Sequence, residues 1–410
     1  MASGVAATAV VPGTALARDW ARGPEQPDAA TTMATDASRA RRMGREPQQL
    51  RSIRRRSGIV LRSLPPSLLA AREALTRKAP VTTTRRPTSP SAEEILGLYF
   101  PVLDHGFVSL VDYMGTDDCI ERAARVSYGY GTRQKSATRG LIRYLRRHHH
   151  TTPSEMVELK FHCCMPMFIA RQWIRHRTAN VNEYSGRYSL IPMLFYTPSE
   201  EQLQTQSRKN NQGRSGQTVE SELYKESVDR WQQGRDITRA TYEWMTAEDI
   251  ARELARIDLP LSTYTQWYWK IDLHNLLHFL TLRVDRHAQW EIQEYGKVMA
   301  GMLKRVAPLS YEAWIDYDVC GAPLSRMELA AIRRLVSPEG DGISARESAL
   351  DKGALGELGL AAREITELLT KLEPSPLPDF ELDVSAAVPA ETFAQRFAQA
   401  VPNIDKKPSE

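Results

Sequence analysis

An apolar stretch that runs straight into a basic, polar one constrains this chain more than any other feature. Met165-Pro166-Met167-Phe168-Ile169-Ala170, with Trp173 and Ile174, places apolar residues at helical spacing, and Pro166 sits where a first helical turn tolerates it. The pattern predicts a helix with one buried face that ends in Arg175, His176 and Arg177. A polar loop follows, carrying Asn180, Asn182, Glu183, Ser185, Gly186 and Arg187. Guanidinium groups grip phosphate oxygens in a fork, and hydroxyl, amide and backbone donors complete such a site. Basic residues at a helix end also complement its dipole with no ligand present. The density of polar groups after the helix favours an anion pocket over a plain connector.

The flanking sequence alternates between helix and strand patterns. Residues 107–114 alternate like a strand, and Thr116 is placed to cap a helix with Ile120, Ala123, Ala124 and Val126 on one face. Ser136 starts the next helix, which runs into His148, His149 and His150. Successive histidines on a helix point about 100° apart and do not converge on one ion, so no metal site is expected. Residues 159–165 read as a buried strand, 200–217 as an exposed, mobile polar loop, and 219–245 as a long helix. Thr246-Ala247-Glu248-Asp249 has the look of a cap for a further helix, with Ile250, Leu254 and Ile257 inward and Arg256 in its last turn. Residues 263–271 are β-branched and aromatic, hence a strand. Asp272 caps a buried helix whose stripe is Leu273, Leu276, Leu277 and Leu280, ending in Arg283. That arginine reads either as ion-paired with Asp285 or Glu291, or as a second cation aimed into the same pocket.

Composition bounds the rest. With 410 residues, 42% hydrophobic and 25% charged, the chain has the make-up of an ordinary globular protein and enough length for a sizeable core. No apolar run approaches a bilayer span, so no membrane partner is expected. Cys119, Cys163, Cys164 and Cys320 show no Cys-x2-Cys spacing, which suits a reducing, cytoplasmic setting without zinc or disulfides. Residues 1–92 are rich in Arg, Ala, Ser, Thr and Pro and poor in acids, and read as a disordered leader. Organelle targeting and a nucleic-acid-binding arm compete there with an upstream extension that has no role of its own; the last is favoured, and nucleic acid is the weakest because aromatic interleaving is absent.

Arg175-His176-Arg177, seven residues, then Ser185 resembles the Arg-His-Arg-x7-Ser signature of the flavin-dependent thymidylate synthases. The wider string Asn182-Glu183-x-Ser185-Gly186-Arg187-Tyr188 is similar to that family too, as is Leu282-Arg283-x-Asp285-x-His287-Ala288-Gln289-Trp290-Glu291-Ile292-Gln293. The resemblance covers residues 100–318. It implies an α+β fold with a mixed α/β core at 93–320, assembled as a homotetramer with active sites shared between subunits. Residues 321–410 are left as a partly helical C-terminal extension with a Pro-rich tail.

The resemblance also implies reductive methylation of dUMP to dTMP, with methylenetetrahydrofolate as carbon donor, FAD as hydride carrier and NADPH as reductant. It places Gln172, Arg175, Glu183, Ser185, Gly186, Arg187, Arg256 and Arg283 on dUMP, with Arg283 in the catalytic role at the pyrimidine O2/N3 edge. It places Ser127, His150, Thr152, Arg175, His176, Arg177, Glu183, Asp272, His274 and His278 on FAD, although Asp272 and His278 stand where some members carry Asn. Ser185 lacks a suitably spaced base and is read as a hydrogen-bond donor, not a nucleophile. The Gly-x-Gly-x-x-Gly dinucleotide fingerprint is absent. Two rival readings are a related flavin- and folate-dependent pyrimidine-nucleotide hydroxymethylase, and a nucleic-acid-binding or assembly protein on an inactive core.

Overall fold

A computed structural model of the chain describes residues 86–128, 138–208, 212–339, 342–345, 351–374, 376–378 and 380–403. The readings of the leader up to residue 85 and of Ser136 lie outside the described residues. The chain enters through a single helical turn, α1 (Pro90–Glu93), into strands β1 (Tyr99–Val102) and β2 (Gly106–Met114). Helices α2 (Asp117–Arg125) and α3 (Thr138–Arg147) lead to β3 (Glu158–Pro166), α4 (Met167–Trp173) and the short strand β4 (Asn180–Glu183). A hairpin, β5 (Gln204–Gln206) and β6 (Arg214–Thr218), precedes the long helix α5 (Ser221–Ala247) and the one-turn α6 (Arg252–Ala255). Strand β7 (Tyr264–Asp272) then feeds α7 (Leu273–Arg283), α8 (Trp290–Val306) and α9 (Pro308–Trp314).

Strands β1-β2-β3-β7-β4 form one sheet in that order, and every pairing is antiparallel. Mixed helix and sheet agree with the α+β expectation. Side chains alternate along β3, so Leu159, Phe161, Cys163 and Met165 enter the main core while Cys164 joins a separate cluster on the other face. Opposite them on β7 stand Trp267, Trp269 and Ile271, all buried. Trp173, the last residue of α4, meets Trp267 edge-on at 5.5 Å and Trp269 at 5.3 Å, and stacks on Phe279 of α7 at 5.0 Å. Helix α4 needs no side-chain cap. Its first amides, Met167 N–H and Phe168 N–H, donate to the carbonyls of Thr263 (2.9 Å) and Leu261 (3.0 Å) just before β7.

Two sequence expectations change here. The polar segment 200–217 is not a structureless loop: a helical turn at Glu200–Gln202 precedes the β5–β6 hairpin. The helix expected after Thr246 shrinks to α6, with Ala255 buried but Leu254 and Ile257 exposed, because the chain must turn at Pro260 to enter β7. The C-terminal extension is partly helical. Helices α10 (Arg326–Leu335), α11 (Lys352–Glu357) and α12 (Ala362–Leu372) first build a small cluster on Ala331, Leu355, Leu360, Ile365 and Leu368, with the pair β8 (Val336–Glu339) and β9 (Gly342–Ala345) between them.

The chain then returns to the core. Phe380 packs on Trp314 at 5.9 Å, and Tyr99 and Val388 exchange backbone hydrogen bonds of 3.1 and 2.8 Å. The strap lies so close on α8 that a Cβ at Gly301 would stand 2.8 Å from the Phe380 carbonyl oxygen. Helix α13 (Ala390–Ala400) then presses Phe393 onto Phe107, ring centroids 4.6 Å apart, and covers the second face of the sheet. Phe393 is only 3% exposed, so Phe393→Ala should cost about 3–5 kcal/mol in a urea melt. A loss below about 1 kcal/mol would mean that α13 does not pack there.

Candidate active site

The aromatic cluster aims the signature. Helix α4 stops at Trp173, and Ile174 closes it with a helical backbone, so Arg175, His176 and Arg177 follow the helix instead of forming its last turn as the sequence suggested. The physical reason is the next element. Asn180–Glu183 is not a loop but the edge strand β4, paired with β7 from Asn180↔Lys270 to Glu183↔Trp267, and that pairing pulls the chain off the helix axis.

His176 lies edge-on to Phe279 at 4.9 Å and 6.1 Å from the ring of His278. Its Nε2 accepts a 3.0 Å hydrogen bond from Nε of Arg283, which ends α7. Burial, then the charge of Arg283, then His278 push the His176 pKa down from 6.5 to about 4. The imidazole is therefore neutral at pH 7, with the proton on Nδ1. Burial and the nearby Arg175 also lower the Arg283 pKa from its ordinary value, so two guanidinium groups face one space. Arg283 pairs with neither Asp285 nor Glu291: Asp285 accepts from His287, and Glu291 accepts from Tyr196 and Arg214. Arg283 instead lines an open space together with Arg175.

That space is a cleft of about 1360 Å³ walled by Gln172, Arg175, Arg283, Arg286, Gln289 and the inner side of the β5–β6 hairpin. Gln172 donates to the side chain of Gln289 across its floor. Cations outnumber the single carboxylate, Asp285, along its lining, as an anionic ligand requires. Gln289, Arg286 and the hairpin were not among the residues expected at the site. Gln289 lay inside the matching stretch, and the hairpin's signal was no more than the glycines Gly213 and Gly216 in an otherwise polar run.

A second group of expected residues sits apart from that cleft's lining. Gly186 is buried, and a Cβ there would fall 2.5 Å from Ile191 Cδ1 and 3.1 Å from Arg256 Cδ, so a larger residue would have to displace Ile191. Ser185 Oγ accepts from the Arg187 amide at 3.3 Å, and the exposed Arg187 reaches Glu253 of α6 at 3.0 Å. Glu183 Oε1 accepts from Thr265 Oγ1 at 2.8 Å. Ser185, Arg187 and Arg256 thus gather around the buried Gly186, whereas Gln172, Arg175 and Arg283 line the cleft and His176 bonds Arg283.

The expected flavin residues divide likewise. Asp272 is committed to capping α7, with Oδ1 on the Asn275 amide (3.0 Å) and Oδ2 on the Asn275 side chain (2.7 Å). His274 Nδ1 is buried with no hydrogen-bond partner among the described residues, a polar atom that a ligand would satisfy. His278 and Arg177 are exposed beside His176, whereas Ser127, His150 and Thr152 are exposed on the segments around α2 and α3, with His150 5.8 Å from the Tyr144 ring. A buried, unpartnered imidazole nitrogen on α7 fits a polar cofactor such as a flavin, which would satisfy it.

Because the folded His176 pKa lies below 6.5, the unfolded chain takes up a proton first as pH falls from 6.5 toward 4. Stability should therefore drop across that window, and His176→Gln should flatten the drop. Urea midpoints at its two ends check this; equal slopes in both proteins would refute it.

Comparison with known proteins places this geometry. A family model described as "Thymidylate synthase complementing protein" matches residues 109–309. A flavin-dependent thymidylate synthase of Wolbachia pipientis is 50% identical over 275 residues, covering 67% of this chain and 96% of that protein. One from Ruegeria pomeroyi is 48% identical over 280 residues, covering 66% and 92%. A solved UMP/dUMP methylase of Streptomyces cacaoi, bound with 5-bromo-UMP, is 31% identical over 53% of this chain and 98% of that one, with a TM-score of 0.49. With half its residues identical over nearly the whole length of such a relative, this chain belongs to the flavin-dependent thymidylate synthase family.

Proposed function

We propose that the chain methylates dUMP reductively to dTMP, taking one carbon from methylenetetrahydrofolate, with FAD as its flavin and NADPH as reductant. The observation that carries the reading is the convergence of Arg175 and Arg283 on one cleft, beside a neutral His176, in a chain of this family. FAD, when bound, supplies the hydride; Ser127, His150, Thr152, Arg175, His176, Arg177, Glu183, His274 and His278 would hold it, and Asp272 would act mainly by capping α7.

The chain's own residues supply position and field. Gln172, Arg175, Glu183, Ser185, Gly186, Arg187 and Arg256 would orient dUMP, the arginines through its phosphate and carbonyl oxygens. Arg283 would stabilise negative charge developing on the pyrimidine O2/N3 edge, which activates C5 toward the carbon donor. His176 serves Arg283 by accepting a hydrogen bond from its Nε–H, which leaves the two terminal nitrogens for the ligand. A protonated imidazole there would repel the guanidinium, and the low pKa of His176 prevents that at neutral pH.

The cleft is lined by Gln172, Arg175 and Arg283 and not by Ser185, Gly186, Arg187 or Arg256 of the same chain, which supports a homotetramer with shared sites. Exposed Tyr188, Ile237, Trp244 and Ile257 give a subunit apolar surface to bury. Sedimentation should show a species of four chains; a monomer that turns over substrate would exclude shared sites.

The deciding experiment is the visible spectrum of the purified protein, followed by tritium release from dUMP labelled at C5 with both co-substrates supplied. A flavin spectrum and turnover are expected. Arg283→Ala should keep the flavin and lose turnover about 100–1000-fold. A protein that takes up no FAD, or an Arg283→Ala variant of unchanged rate, would sink the assignment.

A further inference from the structure

Outside the residues assigned above, the sharpest unexplained feature is a buried carboxylate with one cation on it. Glu291 is 2% exposed and stands in the first turn of α8, directly after the cleft wall at Arg283–Gln289. Its Oε1 accepts from Tyr196 Oη at 3.1 Å and from the guanidinium of Arg214, while Oε2 has no partner among the described residues. Arg214 opens strand β6, donates to Gln202 Oε1 at 2.8 Å and lies 6.0 Å over the ring of Trp290. One side chain therefore ties the hairpin to the helix that follows Arg283.

The hairpin is braced against itself. Thr205 Oγ1 bonds Ser215 Oγ at 2.6 Å, Gln206 Nε2 donates to the Gly213 carbonyl at 3.1 Å, and Gln204 Oε1 accepts from the Gly216 amide at 3.1 Å. These amides are spent on the hairpin, yet Gln204, Gln206 and Gly216 line the same cleft as Arg175 and Arg283. A stiff wall with its polar groups already satisfied shapes a site more than it binds a ligand.

We propose that Arg214 is a positioning residue: through Glu291 and Trp290 it holds the β5–β6 hairpin against the segment that carries Arg283, and so fixes the width of the nucleotide cleft. The inference rests on the dUMP reading of that cleft. Only a guanidinium can fork onto a carboxylate and an amide oxygen while stacking on an indole; an ammonium cannot. Removing Arg214 alone would leave a buried charge uncompensated and mix stability with function. The pair Arg214→Met with Glu291→Gln removes both charges together.

The test uses the full-length flavoprotein in two readouts. Hydrogen exchange without substrate should show the β5 and β6 strands losing protection in the double variant while β3 and β7 keep theirs. Tritium-release kinetics should show KM for dUMP rising about tenfold with kcat within about threefold of wild type. Arg214→Lys, which keeps the charge, should fall between the two and serves as the test if the double variant does not fold. Unchanged hairpin protection, or a loosened hairpin with unchanged KM, would overturn the proposal. If the wild type does not turn over dUMP, the functional reading fails, and the exchange data still judge the Arg214 tie.

Discussion

The packing of Trp173 between strand β7 and helix α7 is the contact on which the site depends. An indole edge against Trp267 and Trp269, and a face on Phe279, join α4 to β7 and α7, which follow one another directly but lie far along the chain from it. Aromatic pairs of this kind add about 0.5–1.5 kcal/mol each beyond their burial, but their geometric effect matters more here. Trp173 ends α4, and two residues later the chain delivers Arg175 and His176. Phe279 lies one turn before Arg283. Fixing the two rings against each other brings the two arginines to one cleft.

Electrostatics then depends on that geometry. Two guanidinium groups facing one space repel, and half-burial raises the cost for Arg283. The neutral imidazole of His176 eases this by accepting one N–H, and it stays neutral because the same burial and the same arginine hold its pKa down. A cleft lined in this way concentrates positive potential that an anionic ligand relieves. Binding and alignment are in this way one event.

Periodicity and turn chemistry made much of the fold legible. Strands at 107–114, 159–165 and 263–271 emerge within a residue or two of their places, and Asp272 caps α7 as its position before a leucine stripe required. Less legible were elements whose polarity hides their structure. Strand β4 is mostly exposed at the sheet edge, and the β5–β6 hairpin is built from Gln, Thr, Ser and Arg, so neither carries the apolar alternation that marks a strand. The return of α13 to the sheet escaped for a different reason. A short amphipathic helix shows that it has a face to bury, but not which surface receives it.

The sequence by itself determined which chemical groups the signature offers, because guanidinium, imidazole and carboxylate in a dense, specific string are a local property. It also determined the main strands and the buried helices, whose hydrophobic periods are local too. Only the tertiary structure decided which of those groups meet. Arg283 met His176 instead of a carboxylate, Glu291 met Arg214 from a segment read as loop, and the serine-arginine loop settled away from the cleft's lining. Those outcomes depend on how separate faces dock, and docking is governed by the shape and burial of side chains distant in the chain, which no local pattern encodes.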